Sequence, residues 1–296
     1  MLYLIGAGDD VVGVTHECDF PAAAQRKPIV VRNLISHDEH SSAEVDRLVR
    51  EALHDGRSLY TLDIELLARL APELIVTQAL CEVCAIDQRQ VAQAIAALPG
   101  HPRVMSLHPH ALEDVLQNVL ALGEATARAP QALTAVAQLR RRIAAVRALA
   151  ATATHRPRVV CLEWLEPLMG SGHWVPEMVQ LAGGMEPIGR LGQPSVYITW
   201  DAVLDAQPEV LVLMPCGMPM ARATQELALL TDHPQWRELP AVRDGRVYLT
   251  DASSYYNRSG PRLVDGLEIL AALIHPELFP APWPVGSVMH LATAAR

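Results

Sequence analysis

The sequence predicts an α/β protein of two lobes with parallel sheets, joined by one long helix, and three observations predict it. The chain has 296 residues, more than one ordinary hydrophobic core organises, so two domains of about 150 residues each are expected. Pro and Gly punctuate it into short apolar runs alternating with helical patterns, which is the pattern of βα units. A segment of the first half also recurs in the second, with a stretch of strong helix formers between them.

In the first half, residues 11–15, 74–77 and 104–107 read as strands and residues 63–70 as a helix. In the second, residues 158–163 (RVVCLE), 210–214 and 246–249 read as strands, and residues 200–206 as a helix. Residues 176–181 open a helix with Pro in its first turn, where the missing N–H has no partner to lose.

The two halves match in detail. TLDIELLARLAPELIVTQ (61–78) and ITWDAVLDAQPEVLVLMP (198–215) each spell a short helix, a Pro-Glu turn and a buried strand. Pro72 pairs with Pro208 and Glu73 with Glu209, a shift of 136 residues that duplicates whole lobes rather than solenoid repeats. Residues 130–153 contain no Gly and would span roughly 35 Å as one rigid helix. The expected boundaries are a first lobe over 1–128, an interlobe helix over 129–153 and a second lobe over 154–296. MLYLIGAG at the start reads as the end of a helix equivalent to the one closing with LAGG (181–184). The first strand of lobe one is therefore expected to be missing, through a misassigned or truncated start or because another element fills its place.

Composition excludes several classes. A net charge of −9 gives no basic footprint for nucleic acid or an anionic membrane. No run of 18 apolar residues is present, so no membrane insertion is expected, and no positively charged leader precedes an apolar stretch. Five cysteines, an odd number, fit reduced thiols better than a disulfide framework. As written, the chain is expected in the cytoplasm; a truncated N-terminus would make it periplasmic or exposed at the cell surface. A small molecule or a protein is the expected partner.

In open parallel sheets, ligands bind beyond the carboxyl ends of the strands, and clefts between lobes are favoured sites. That rule selects His16, Glu17 and Cys18 after the first strand, and Cys81 and Cys84 after residues 74–77. In the second lobe it selects Trp164 beside Glu163, His173 and Trp174 in the GSGHW turn (170–174), Cys216, and then Tyr255, Tyr256, Asn257 and Arg258. The LCEVC segment reads as two small residues capping a loop, as ligand or metal contacts, or as a redox pair. One pair with scattered Cys18, Cys216 and His16 falls short of the usual four-ligand zinc site, so the metal assignment stays unknown. Cys161 lies inside an apolar strand and reads as core. Trp164 and Trp174 suit a flat apolar macrocycle or, equally, the packing of the lobe. His173 could reach a metal through an imidazole nitrogen, or serve as a cap.

VGVTHECDFP (12–21), the helix, Pro-Glu and strand units around Pro72 and Pro208, and NRSGPRLVDGLEIL (257–270) together resemble the periplasmic-binding-protein family of vitamin B12 and iron-chelate (siderophore and haem) transport. THECDFP and LCEVC are similar to a cobalamin-binding subgroup whose members often lack a signal peptide. The resemblance implies a class III periplasmic-binding-protein-like fold: two Rossmann-like lobes, a single long helix, and ligand in the interlobe cleft. It implies a monomeric binding protein and not an enzyme, with no required cofactor, that captures cobalamin or another corrinoid for ABC-type uptake or intracellular sequestration. The alternatives are a haem or ferric-chelate binder and, from another class, a thiol- or metal-dependent enzyme using Cys81, Cys84 and Cys216. Arg258 matches the position where the family places an arginine on polar ligand groups, for which a planar fork of donors is suited. Glu65 and Asp201 match the family's acidic residues that meet arginines of an ABC permease. The internal repeat pairs the same two positions. The chain departs from the family's B12 binders at Glu17, where they carry Tyr, and offers Tyr60 and Tyr197 near where they place cleft Trp residues.

Overall fold

The structure, a computed structural model, describes residues 1–36, 39–78, 98, 100–280 and 283–291. It divides into two compact units: Met1–Pro109 with Leu116–Val136, and His110–Val115 with Ala137–Arg296.

The first unit contains β1 (Val14–Thr15), β2 (Ile29–Asn33), α1 (Ser42–His54), β3 (Tyr60–Leu62), α2 (Ile64–Leu70), β4 (Leu74–Gln78) and β5 (Arg103–Leu107). Strands β1 and β2 are parallel, β3 is antiparallel on β2, and β4 and β5 form a separate parallel ladder. Helix α1 starts at a capping box in which Ser41 accepts from the Glu44 N–H and the Glu44 carboxylate accepts from the Ser41 N–H, so two orphan donors are satisfied at once. Val30, Leu67 and Leu98 form a small core with Leu62, Leu66 and Ile75 against it. The first strand begins at Val14, three residues later than expected, and stands at the edge of its sheet; residues 2–6 form turns.

Helix α3 (Leu112–Ala125) buries Leu116, Val119 and Leu122 at helical spacing. Gly123 lets it turn into α4 (Ala129–Ala150), because a Cβ there would lie 2.4 Å from the Ala132 Cβ. The long helix exists as expected. Its residues up to Val136 belong to the first unit and those from Ala137 onward to the second.

The second unit holds β6 (Val159–Leu165), β7 (Leu168–Gly170), α5 (Val175–Leu181), β8 (Val196–Tyr197), α6 (Trp200–Ala206), β9 (Val210–Leu213), β10 (Val247–Thr250), the short helix Ala252–Tyr255, α7 (Leu263–Ile274) and β11 (Val288–His290). The sheet order is β11-β10-β9-β6-β7-β8. Its centre, β6, β9 and β10, is parallel; β7, β8 and β11 are antiparallel. Strand β9 is an unbroken apolar run with every residue buried, as a central parallel strand covered on both faces requires. Helix α7 buries all its residues except Asp265 and Glu268. Those two carboxylates pair with Arg142 of α4 at 2.5 and 2.7 Å.

The expected parallel pairing holds for β1–β2, β4–β5 and the β6–β9–β10 centre, and antiparallel strands are added beside it. The link from β6 to β7 is the two-residue Glu166-Pro167 turn, and so short a link joins only antiparallel strands. The duplication is real in three dimensions: β3, α2 and β4 recur as β8, α6 and β9. Asp63 and Thr199 cap the two helices by accepting from Leu66 N at 2.8 Å and Ala202 N at 3.2 Å.

Candidate functional site

The parallel strands of each unit release their chains at one edge, and most of the sequence-selected residues follow those ends. In the first unit, β1 gives way to a tight turn: Cys18 N donates to Thr15 O at 3.0 Å and Glu17 N to Thr15 Oγ1 at 3.3 Å. His16 stays registered on β2 through its N–H to Val31 O at 3.0 Å, with Nδ1 3.3 Å from the same oxygen. Its Nε2 lies 3.3 Å from Glu17 Oε1, and its ring is 5.9 Å from that of Tyr60. Cys18 is exposed and makes no disulfide. Cys81 and Cys84 lie outside the described residues.

In the second unit three loops meet beyond the carboxyl ends of β6, β9 and β10. Cys216 N donates to Glu163 O at 2.9 Å, tying the end of β9 to β6. The Asn257 amide bridges Ala252 O at 2.9 Å and Cys216 N at 3.3 Å. Trp174 Nε1–H donates to Tyr256 O at 2.6 Å, and Tyr256 O–H donates to Gly266 O at 3.2 Å. Trp174 and Tyr256 are therefore buried packing residues that hold the loops together. Trp164 is buried as well, its Nε1–H spent on Glu166 O at 2.9 Å. Tyr255, half-buried, carries the Arg262 guanidinium 5.5 Å from its ring centre. Arg258, Asn257, Cys216 and His173 keep partial exposure and sit around the same edge.

His173 has the most constrained backbone of the group. Its φ is +52°, a left-handed conformation that costs a residue with a Cβ about 1–2 kcal/mol. Its N–H donates to Gln193 O at 2.6 Å and its carbonyl accepts from Gly192 N at 2.9 Å. Next to it, Gly172 has no room for a side chain, since a Cβ would lie 2.3 Å from Ser195 N. Two carboxylates fix this loop from beneath. Glu163 accepts from Gly172 N at 3.1 Å and from the Ser195 hydroxyl. Glu186 is partly exposed as a residue, but its carboxylate is enclosed by Ser171 Oγ (2.9 Å), Ile188 N (2.9 Å), Gly189 N (3.1 Å) and Cys161 N (3.3 Å).

Burial sets the electrostatics here. It pushes the Glu186 carboxyl above the usual carboxylate range, against the pull of its four donors. It likewise raises the Cys161 thiol, helped by the negative charges of Glu186 and Glu163. It lowers His173, with nearby His110 adding to the effect, so the imidazole is held neutral. Sequence reasoning placed Glu163 at a strand end but missed its clamping role, and it missed Ser171, Glu186 and Ser195 altogether. Glu186 follows an exposed Met185 in a Pro- and Gly-rich stretch and carries no local signal of enclosure.

A cavity of about 300 Å³ lined by Arg156, Gln180, Met185 and Glu186 lies near the amino end of β6. Among the described residues, no group of three His, Cys, Asp or Glu is placed to hold a metal ion, and no helix is long and apolar enough to cross a membrane.

Two α/β units with polar and aromatic loops gathered at the carboxyl ends of their strands define a ligand-binding protein. The chain belongs to the periplasmic binding protein family, whose model matches residues 1–254. The vitamin B12-binding protein of Vibrio cholerae is 24% identical over 273 residues, covering 90% of this chain and 82% of the relative. Among solved structures, the periplasmic vitamin B12 binding protein BtuF of Vibrio cholerae aligns at 22% identity with a TM-score of 0.66, covering 93% of this chain and 92% of that one. The periplasmic heme-binding protein RhuT of Roseiflexus sp. RS-1 aligns at 22% identity with a TM-score of 0.70, covering 93% of each chain. The family assignment overturns the cytoplasmic expectation. The odd cysteine count was weak evidence beside membership of a periplasmic family.

Proposed function

We propose that this chain captures a corrinoid, cobalamin above all, through the loops at the carboxyl ends of its strands, as the substrate-binding component of ABC-type uptake. The observation that carries the reading is the likeness to vitamin B12-binding proteins along 90% of the chain. The chemistry of the loops supports it. Arg258 offers a planar fork of donors to the amides at a corrin's rim, while Tyr60 and Tyr255 offer flat contact area with a polar edge. His16, Glu17, Cys18, Cys216 and Asn257 complete the proposed contacts. Trp164, Trp174 and Tyr256 act on the ligand through the loops they anchor.

Haem is the second reading, favoured by the fold's likeness to heme-binding proteins. Separate titrations of the purified protein with aquocobalamin, haemin and zinc, followed by absorption spectra, discriminate the readings. Saturable change with aquocobalamin supports the corrinoid; change with haemin alone transfers the assignment to haem. A response to zinc alone would favour metal chemistry.

Glu65 and Asp201 are the proposed contacts to the permease. Both are exposed and stand in the first turns of the repeated helices α2 and α6. Carboxylates there also favour the helix dipole by about 0.3–1 kcal/mol, which a docking experiment separates from partner recognition.

A further inference from the structure

We propose that the cavity formed by Arg156, Gln180, Met185 and Glu186 is a second binding site, for a small organic carboxylate with an apolar body. It stands apart from the corrinoid reading, because none of the four residues is among the contacts proposed for that ligand.

The walls are formed before anything binds. Helix α5 runs out into the LAGG segment (181–184), whose two glycines bring the chain alongside the start of β6. Gly183 turns at φ +86°, and a Cβ there would lie 2.8 Å from His275 Nε2. A Cβ on Gly184 would lie 2.8 Å from Val159 Cγ2. Met185 then pairs with Arg158 in a parallel bridge: its N–H donates to Pro157 O at 2.9 Å and its carbonyl accepts from Val159 N at 2.8 Å. Arg156 is drawn to the same wall by Nη2, which donates to Gly184 O at 3.0 Å. Side chains placed in this way lose less freedom when a ligand arrives.

The chemistry offered there selects an anion. Arg156 makes no ion pair among the described residues, and with one N–H on Gly184 O the rest of its planar fork is open to a carboxylate. Gln180, exposed on the last turn of α5, adds a carboxamide with no side-chain hydrogen bond among the described residues. Two carboxylates that could compete are both spent. Glu186 accepts from Ser171 Oγ, Cys161 N, Ile188 N and Gly189 N, and burial disfavours the negative charge that would repel an anion. Glu209, which serves residues on either side of Arg156, is held by His155 at 2.6 Å and Arg158 at 3.1 Å. Met185, 47% exposed, gives a polarisable thioether surface on which a ring packs well. A volume of about 300 Å³ stands at the lower end for ligand pockets and equals that of about ten waters. It suits a molecule the size of benzoate and excludes a corrin or a haem.

The test follows the methyl resonances of protein carrying isotope-labelled methionine while benzoate is titrated, with neutral benzamide, of the same shape, as the control. The Met185 signal, assigned by its loss in Met185→Leu, is expected to move saturably with a Kd of about 1 mM or tighter. Benzamide is expected to bind about tenfold or more weakly. Arg156→Gln is expected to weaken benzoate by the same factor while the other methionine signals stay in place. A Met185 signal unmoved by benzoate, or moved equally by benzamide, would overturn the proposal whatever the variant does. Unchanged benzoate affinity in Arg156→Gln would overturn it too. None of these outcomes touches the corrinoid reading, which titration with cobalamin tests by itself.

Discussion

Ala71 and Gln207 hold the same left-handed backbone, φ 44°, ψ 56° and φ 43°, ψ 58°. They lie 136 residues apart in sequence. Each closes a seven-residue helix and stands directly before the Pro-Glu pair that leads into a parallel strand. The duplication has therefore kept a backbone conformation that neither residue type favours, because the turn from helix to strand demands it.

Glycine at either position should stabilise the protein. Ala71→Gly and Gln207→Gly remove a Cβ clash that outweighs the added flexibility of the unfolded chain, for a gain of about 0.5–1 kcal/mol each. Denaturant melts of the single variants check this, and a loss of stability in both would contradict the turn geometry.

Glu186→Gln should change how stability depends on pH. A carboxyl whose folded pKa is raised above its ordinary 4.5 contributes stability that is fully present below that value and lost as the pH rises through the folded pKa. Glutamine cannot titrate, and its NH2 meets donors that the carboxylate accepted, costing about 1 kcal/mol or more. The deficit relative to wild type is therefore greatest below pH 4.5 and narrows as the pH rises. Unfolding curves at several pH values in which the deficit widened with pH would show that the carboxyl is ionised in the folded protein.

Trp174→Phe keeps most of the buried ring but leaves Tyr256 O without its donor. The expected cost is about 1–3 kcal/mol, the penalty of an unsatisfied buried group, with ligand affinity falling as the 171–174 loop loosens. Thermal unfolding that matched wild type would mean the bond contributes nothing net.

The double variant Glu65→Lys, Asp201→Lys should bind ligand as wild type does, since both side chains are exposed and neither is among the proposed ligand contacts. It should lose docking to membrane vesicles carrying the cognate transporter, because opposed charges select partners at an interface. Docking with unaltered affinity would reduce the two carboxylates to helix-dipole partners.

The fold was legible where burial or caps impose a pattern. Strand β9 is a pure apolar run, helix α6 falls at its expected bounds, and the repeated Pro-Glu turns announce the duplication. Strands β3, β7, β8 and β11 were not, because elements of two or three residues carry no period and take their pairing from neighbours. Strand-end logic selected His173, Cys216, Asn257 and Arg258, which keep partial exposure in the structure, but it could not tell an anchoring Trp174 from a ligand-facing one. That distinction depends on where Tyr256 O lies, 82 residues further along the chain. The clamp formed by Glu186 was invisible for the same reason: its partners come from two sides of a loop that sequence shows only as Gly and Pro.

Calorimetric titration of the purified chain with cobalamin, run beside haemin, tests the central claim most directly. Corrinoid capture predicts saturable one-to-one heat with a Kd of about 1 μM or tighter, and a weaker response to haemin. No heat and no spectral change with any form of cobalamin, beside tight binding of haemin, would contradict it.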